Sequence, residues 1–287
     1  MEKLINGYTK ILGIIGDPIE HSLSPGIHNT LCKYLNLNYV YIPFKVSSEQ
    51  LENAVKGLKA LGVMGFNVTI PHKKNIIQYL DEVSKEALLM GAVNTVKNVD
   101  GKLYGYNTDG QGFVKSLKNE GVAIEGKNIL VIGAGGAARG ITVSLALEGV
   151  QSITILNRTA QKAKAICTMI NENVKNISRS DSLNYENFNR YIEDCDILIN
   201  TTSIGMHPDI HACPIENLTS LKSSTVVCDL IYNPSKTAFL ANAEKKGCKI
   251  INGWGMLVFQ AINAFEIWMD IKINDNLTNI LLQKTNS

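Results

Sequence analysis

The sequence predicts an α/β fold in two domains, and three observations carry that prediction. Apolar segments alternate between strand-like and helix-like patterns almost from end to end. The 287 residues suit about two domains, each long enough to bury its own core. A second strand-helix series, opening near Lys127, begins with a buried strand and a glycine-rich turn.

In the first series, Ile11 to Ile15 is a β-rich run, and Ser24-Pro25 then supplies an N-cap and a first-turn proline for a helix through about Leu35. Tyr39 to Val46 alternates as a strand. Ser47 with Gln50 makes a capping-box signature ahead of helical spacing from Leu51 to Leu61. Gly65 to Ile70 is another strand, stopped by Pro71, and Asp100-Gly101 between two short apolar runs reads as a tight hairpin. In the second series the strands are Asn128 to Ile132, Ser152 to Leu156, Asp196 to Asn200, Thr225 to Leu230 and Lys249 to Ile251. The helices are Gly136 to Glu148, Ala160 to Asn173 and Lys236 to Lys246. Asn173 to Tyr191 is polar and carries no clear period. The apolar helix Met256 to Met269, with Trp254, Phe259, Phe265 and Trp268, has no strand behind it and is expected to return to the first domain. The domains are therefore 1–108 plus about 253–287, and 109–252.

Composition excludes several classes. With 45% hydrophobic and 19% charged residues the chain is not largely disordered. With 28 basic against 26 acidic residues, a net +2, it lacks the basic stripe of a nucleic-acid or membrane-surface binder. Six scattered cysteines without a C-x-x-C pair read as reduced thiols of a cytoplasmic protein. The opening Met-Glu-Lys-Leu-Ile-Asn-Gly has no apolar signal-peptide region, and no run approaches the ~20 residues of a membrane span. Any anionic ligand must meet a local cluster of charge.

Such a cluster stands in the second series. Gly133-Ala134-Gly135-Gly136-Ala137-Ala138 follows a buried strand and opens a helix, the G-x-G-x-x-A arrangement of a Rossmann-type doubly wound domain. Gly133 permits the tight turn, Gly135 admits a pyrophosphate to the backbone, and Ala138 lets helix meet strand. The helix start offers free N–H groups to that phosphate. At the end of the next strand an NAD site usually carries Asp or Glu; here Asn157-Arg158-Thr159 stands instead, with Lys162 one turn on. A carboxylate would repel a 2′-phosphate, and a guanidinium pairs with it, so the cofactor read from these residues is NADP (NADPH).

The first series carries polar groups at points where chemistry needs them. Ser22 and Ser24 sit at a helix start, as a seat for a small carboxylate or as an N-cap with a spare serine. Asn67 and Thr69, two apart on one strand, share a face, and Pro71-His72 then presents Lys73. Asn94 and Asp109 lie in two further polar segments. His207, Asp209, His211 and Cys213 stand at alternate positions, but Pro208 and Pro214 mark a polar loop and no metal site is expected. His21, His28 and His72 read as capping or packing histidines.

The ordered set of Ser22/Ser24, Asn67-Val68-Thr69-Ile70-Pro71-His72-Lys73, Gly91 to Thr95, Asn107-Thr108-Asp109-Gly110, Gly133 to Ala137, Asn157-Arg158-Thr159, Asn200 to Met206, Asp229 to Pro234 and Gly253 to Ala261 resembles the shikimate dehydrogenase family. The resemblance spans nearly the whole chain. It implies a substrate domain and an NADP domain with a cleft between them, and NADPH-dependent reduction of 3-dehydroshikimate to shikimate, on the route to chorismate and the aromatic amino acids. It implies that Ser22 and Ser24 hold the substrate carboxylate, that Asn67, Thr69, Asn94, Asp109, Tyr232 and Gln260 hold the carboxylate or ring hydroxyls, and that Lys73 and Asp109 are the catalytic pair. On the cofactor side it implies Gly133, Ala134, Gly135, Gly136, Ala137, Asn157, Arg158, Thr159 and Lys162, with Leu230, Gly253 and Met256 at the nicotinamide. The family commonly has arginine where Lys162 stands, and lysine keeps the charge but loses the planar fork. A quinate/shikimate dehydrogenase of relaxed cofactor use is the alternative. Expected partners are the small-molecule substrate, no nucleic acid and no membrane, with the chain a monomer or homodimer.

Overall fold

The structure, a computed structural model, describes residues 5–283. The first four residues of the amino-terminal segment read above, and the last four of the chain, lie outside the described residues. Backbone contacts divide the chain into two compact units, Met1–Thr108 with Gln260–Ser287, and Asp109–Phe259.

The first unit is built on β1 (Lys10–Gly16), α1 (Ser24–Tyr34), β2 (Tyr39–Lys45), α2 (Leu51–Ala60), β3 (Gly65–Val68), β4 (Glu82–Val83), α3 (Lys85–Met90), β5 (Thr95–Val99) and β6 (Lys102–Tyr106). Its sheet runs β2-β1-β3-β5-β6-β4. β1 is parallel to β2 and β3, whereas β3-β5 and β5-β6 are antiparallel, so the sheet is mixed. The β5-β6 hairpin turns at Asp100 and Gly101, both at positive φ, the backbone a two-residue turn of this hand demands. Every residue of β3 is buried, which is why this short strand can carry a polar residue, Asn67, only with its hydrogen bonds made inside. The core gathers Ile15, Leu51, Val55, Phe66, Ile76, Val96 and Leu103 on one face of that sheet.

The second unit begins with α4 (Asp109–Asn119) and continues through β7 (Asn128–Ile132), α5 (Gly136–Leu147), β8 (Ser152–Asn157), α6 (Ala160–Asn173), β9 (Ser178–Ser182), α7 (Tyr185–Ile192), β10 (Ile197–Asn200), β11 (Val226–Asp229), α8 (Ala238–Glu244) and β12 (Lys249–Ile251). Its sheet, β12-β11-β10-β7-β8-β9, is parallel at every pairing. Read from β9, this is the doubly wound order with the switch point at the carboxyl ends of β7 and β10, where nucleotides bind in such sheets. The final helices are α9 (Trp254–Met269), which runs through the division between the units, and α10 (Asp275–Gln283).

Two local expectations are corrected. Ser24 is the first helical residue and Leu23 occupies the N-cap with no side-chain cap, because Leu23 is already in the helical region (φ −85, ψ −8) and its carbonyl accepts the first helical bond, from Ile27 N–H at 3.3 Å. The Ser47 cap bond is not made, because Ser48–Gln50 form a tight 3₁₀ turn before α2 begins. The polar stretch after Asn173 holds a strand and a helix, β9 and α7, whose anchors are the buried Phe188 and Ile192 and the Asn184 cap on the Asn187 N–H at 2.8 Å. Gly253 to Phe259 group with the second unit: a Cβ on Gly255 would lie 2.2 Å from Ser116 Oγ, so α9 begins tight against α4. Phe265 and Trp268 belong to the first, where Trp268 lies over Gly65 at a distance no Cβ would allow and donates its indole N–H to Val96 O at 2.9 Å.

Candidate active site

In the first unit the segment after β3 is pinned at both ends by backbone bonds. The Thr69 N–H donates to Ile15 O (3.0 Å), Asp17 N–H to Ile70 O (3.0 Å), and Val93 N–H to Lys73 O (2.7 Å). Gly16 makes this approach possible, since a Cβ there would fall 2.3 Å from Thr69 Cγ2. His72 is fully buried and its Nε2 lies 2.7 Å from Val46 O. A carbonyl only accepts, so Nε2 carries the proton. The turn Pro71-His72-Lys73 is thus tied into the fold on either side of the half-buried Lys73.

Asn67, Asn94 and Gln260 come together. Asn67 Nδ2 donates to Asn94 O (3.0 Å) and Thr95 Oγ1 (3.1 Å). Asn94 Oδ1 accepts from Thr108 N–H (2.8 Å), which leaves its nitrogen facing Thr108 Oγ1 (2.9 Å) and Gln260 Oε1 (3.5 Å). The carbonyl and the N–H, each of fixed polarity, orient both amides without ambiguity. Asp109 follows Thr108 directly and is the first residue of α4. Ser22 Oγ accepts from Ser24 N–H at 3.3 Å, with Ser24 buried and Ser22 half-buried at the entry to α1. Thr69 is half-buried.

In the second unit Gly133 ends β7 at φ +106, its N–H on Leu156 O (2.8 Å), and a Cβ would meet Thr201 Oγ1 at 2.5 Å. Gly135 is the N-cap of α5 with no side chain capping it, and the space around Gly135 and Gly136 is open. An exposed, uncapped helix start of this kind fits a dinucleotide pyrophosphate. Ala134 and Ala137 are half-buried beside it. At the end of β8, Asn157 Nδ2 donates to Thr159 O (2.8 Å), while Arg158, Thr159 at the N-cap of α6 and Lys162 in its first turn are exposed. Leu230 and Tyr232 after β11, with Gly253 and Met256 after β12, complete the arrangement. Gly253 passes so close to Leu230 that a Cβ would sit 1.9 Å from its carbonyl oxygen, and Met256 and Tyr232 are half-buried. Burial pushes the Tyr232 hydroxyl up.

The sequence reading missed the groups behind these. Asp229 is buried, accepting from Thr237 Oγ1 (2.7 Å), Asn200 Nδ2 (3.1 Å) and Ile231 N–H (3.1 Å). Burial raises its pKa, against those hydrogen bonds. Asn200 Oδ1 in turn accepts from Thr202 N–H (3.0 Å), so one carboxylate braces the loops after β10 and β11. Tyr41, Thr95 and Thr108 do the same for the amides of the first unit; their only sequence signal is an inward position on an alternating strand or a place inside a polar motif. Among the described residues no three His, Cys, Asp or Glu side chains converge as metal ligands, and no helix is long and apolar enough to cross a membrane.

Two family models match the chain, "Shikimate dehydrogenase substrate binding domain" over residues 14–96 and "Shikimate / quinate 5-dehydrogenase" over residues 115–235. The chain belongs to the shikimate dehydrogenase family. It is 49% identical to the shikimate dehydrogenase (NADP(+)) of Alkaliphilus oremlandii, covering 94% of this chain and 95% of that one. It is 52% identical to that of Caldanaerobacter subterraneus subsp. tengcongensis, covering 92% and 93%. Among solved structures, shikimate 5-dehydrogenase from Listeria monocytogenes, in complex with shikimate and NAD, superposes with a TM-score of 0.93 at 38% identity, covering 98% of this chain and 99% of that one. The substrate-binding family model falls within the first unit and the second family model within the second.

Proposed function

We propose that this chain is an NADP-dependent oxidoreductase that interconverts 3-dehydroshikimate and shikimate. Family membership over nearly the whole length carries the reading. The carboxylate-free end of β8 supports the choice of NADP over NAD. The bound cofactor supplies the hydride, and the chain's residues do the rest.

Hydride arrival at a ketone carbon leaves charge growing on its oxygen. In this proposal the Lys73 ammonium stabilises that charge and delivers the proton, and Asp109 orients the lysine and a neighbouring substrate hydroxyl. Ser22 and Ser24 hold the carboxylate, and Asn67, Thr69, Asn94, Tyr232 and Gln260 hold the carboxylate or the ring hydroxyls. The α5 start with Gly133, Ala134, Gly135, Gly136 and Ala137 takes the pyrophosphate. Asn157, Arg158, Thr159 and Lys162 take the adenosine 2′-phosphate, and Leu230, Gly253 and Met256 line the nicotinamide. The chain acts in the cytoplasm as a monomer or homodimer.

The test is a spectrophotometric assay of purified protein with shikimate or quinate against NADP or NAD, in all four combinations. Activity greatest with shikimate and NADP is expected. Activity only with quinate and NAD would overturn the specificity, and none with any pair would overturn the enzyme.

A further inference from the structure

Behind Asn67 lies a side chain that the reaction scheme does not use. Tyr41, on β2, is buried, and its ring is stacked on His28 of α1 with centroids 4.3 Å apart and planes at 15°. Trp268 closes the stack, 5.1 Å from His28 and 6.1 Å from Tyr41, centroid to centroid. The ring cannot swing, so the hydroxyl has one place to be. It lies 2.7 Å from Asn67 Oδ1.

The polarity of that contact follows from its neighbours. Asn94 O, a carbonyl, can only accept, so the nitrogen end of the Asn67 amide faces it and the oxygen end faces Tyr41. The Tyr41 hydroxyl therefore donates to Asn67 Oδ1. With both amide hydrogens of Asn67 directed at Asn94 O and Thr95 Oγ1, the group can meet a ligand only through Oδ1, as an acceptor. Asn94, held the other way round by the Thr108 N–H, turns its nitrogen outward from that bond.

We infer that Tyr41 is a positioning residue for the substrate: its hydroxyl donates to Asn67 Oδ1 and holds that oxygen as the acceptor for a hydroxyl of the ring. The inference rests on the reading of the site as one for shikimate. It adds a specificity rule, that the ring position meeting Asn67 must donate a hydrogen bond, which a methoxy or deoxy ring cannot do.

Wild type and Tyr41→Phe are compared side by side, varying shikimate at saturating NADP and then the reverse. Phenylalanine keeps the ring on His28 and removes only the hydroxyl. The KM for shikimate is expected to rise roughly three- to tenfold, the worth of one neutral buried hydrogen bond, with the KM for NADP unchanged and kcat within about twofold. General loosening of the fold would move both KM values and the melting temperature. In an Asn67→Ala background the same change is expected to add little, because the group it positions is gone. An unchanged KM for shikimate in Tyr41→Phe, or full additivity in the double variant, overturns the inference while leaving the enzyme reading intact. Failure of the wild type to oxidise shikimate overturns both.

Discussion

Lys73 and His28 illustrate two fates of a titratable side chain. Lys73 is half-buried on a turn anchored through its own carbonyl, and the proposed chemistry asks it for charge and a proton in the transition state. Lys73→Ala is expected to lower kcat by at least about a hundredfold while shikimate binding, measured directly by calorimetry, weakens only a few-fold. Near-normal turnover would remove Lys73 from the mechanism. His28 is inside the aromatic stack, and burial lowers its pKa to about 3 from an ordinary value near 6.5. A histidine whose folded pKa is depressed binds its proton in the unfolded chain first. Its contribution to stability is full above pH 6.5 and is lost as pH falls toward about 3, with a slope of about 1.4 kcal/mol per unit. Urea titrations between pH 7 and pH 4 should show a shallower acid slope for His28→Leu than for wild type, and equal slopes would contradict the assignment.

At the scale of elements, the close approaches are where sequence and structure agree most closely. Gly133 was legible because a strand, a tight turn and a helix in that order leave one backbone conformation, and φ +106 is that conformation. Gly253 was legible only through resemblance. Its reason is tertiary: the start of α9 lies against the Leu230 carbonyl, with no room for a methyl group. Gly253→Ala is expected to destabilise the protein by about 1–3 kcal/mol and raise the KM for NADP, read by thermal unfolding and steady-state kinetics together. An alanine variant unchanged in both would mean the contact relaxes freely. The polar stretch that holds β9 and α7 was unreadable for the opposite reason. An edge strand of Ser178-Arg179-Ser180-Asp181-Ser182 has no apolar alternation, and it is held instead by pairing with β8 and by side chains such as Arg179 Nε on Thr154 Oγ1 at 2.9 Å.

For the molecule as a whole, ligand linkage is the relevant quantity. A ligand that binds only the folded chain stabilises it by about 2.7 kcal/mol at a hundred times its Kd. NADP should therefore raise the melting temperature more than NAD at equal concentration, and Arg158→Ser should erase most of that difference by removing the guanidinium offered to the 2′-phosphate. An equal shift by both nucleotides in the wild type would argue against the reading of Asn157-Arg158-Thr159.

The alternation of strands and helices, the glycine turn and the cationic end of β8 are all carried by the sequence, because each depends on neighbours within a few residues. So is the order of the polar motifs. Only the tertiary structure decided the direction in which Asn67 and Asn94 present their amides, the brace that Asp229 gives two loops, and the place of Tyr41 behind the site. Those depend on which carbonyl or N–H from a distant strand meets each side chain, and the polarity of a hydrogen bond is settled by its partner rather than by its position in the chain.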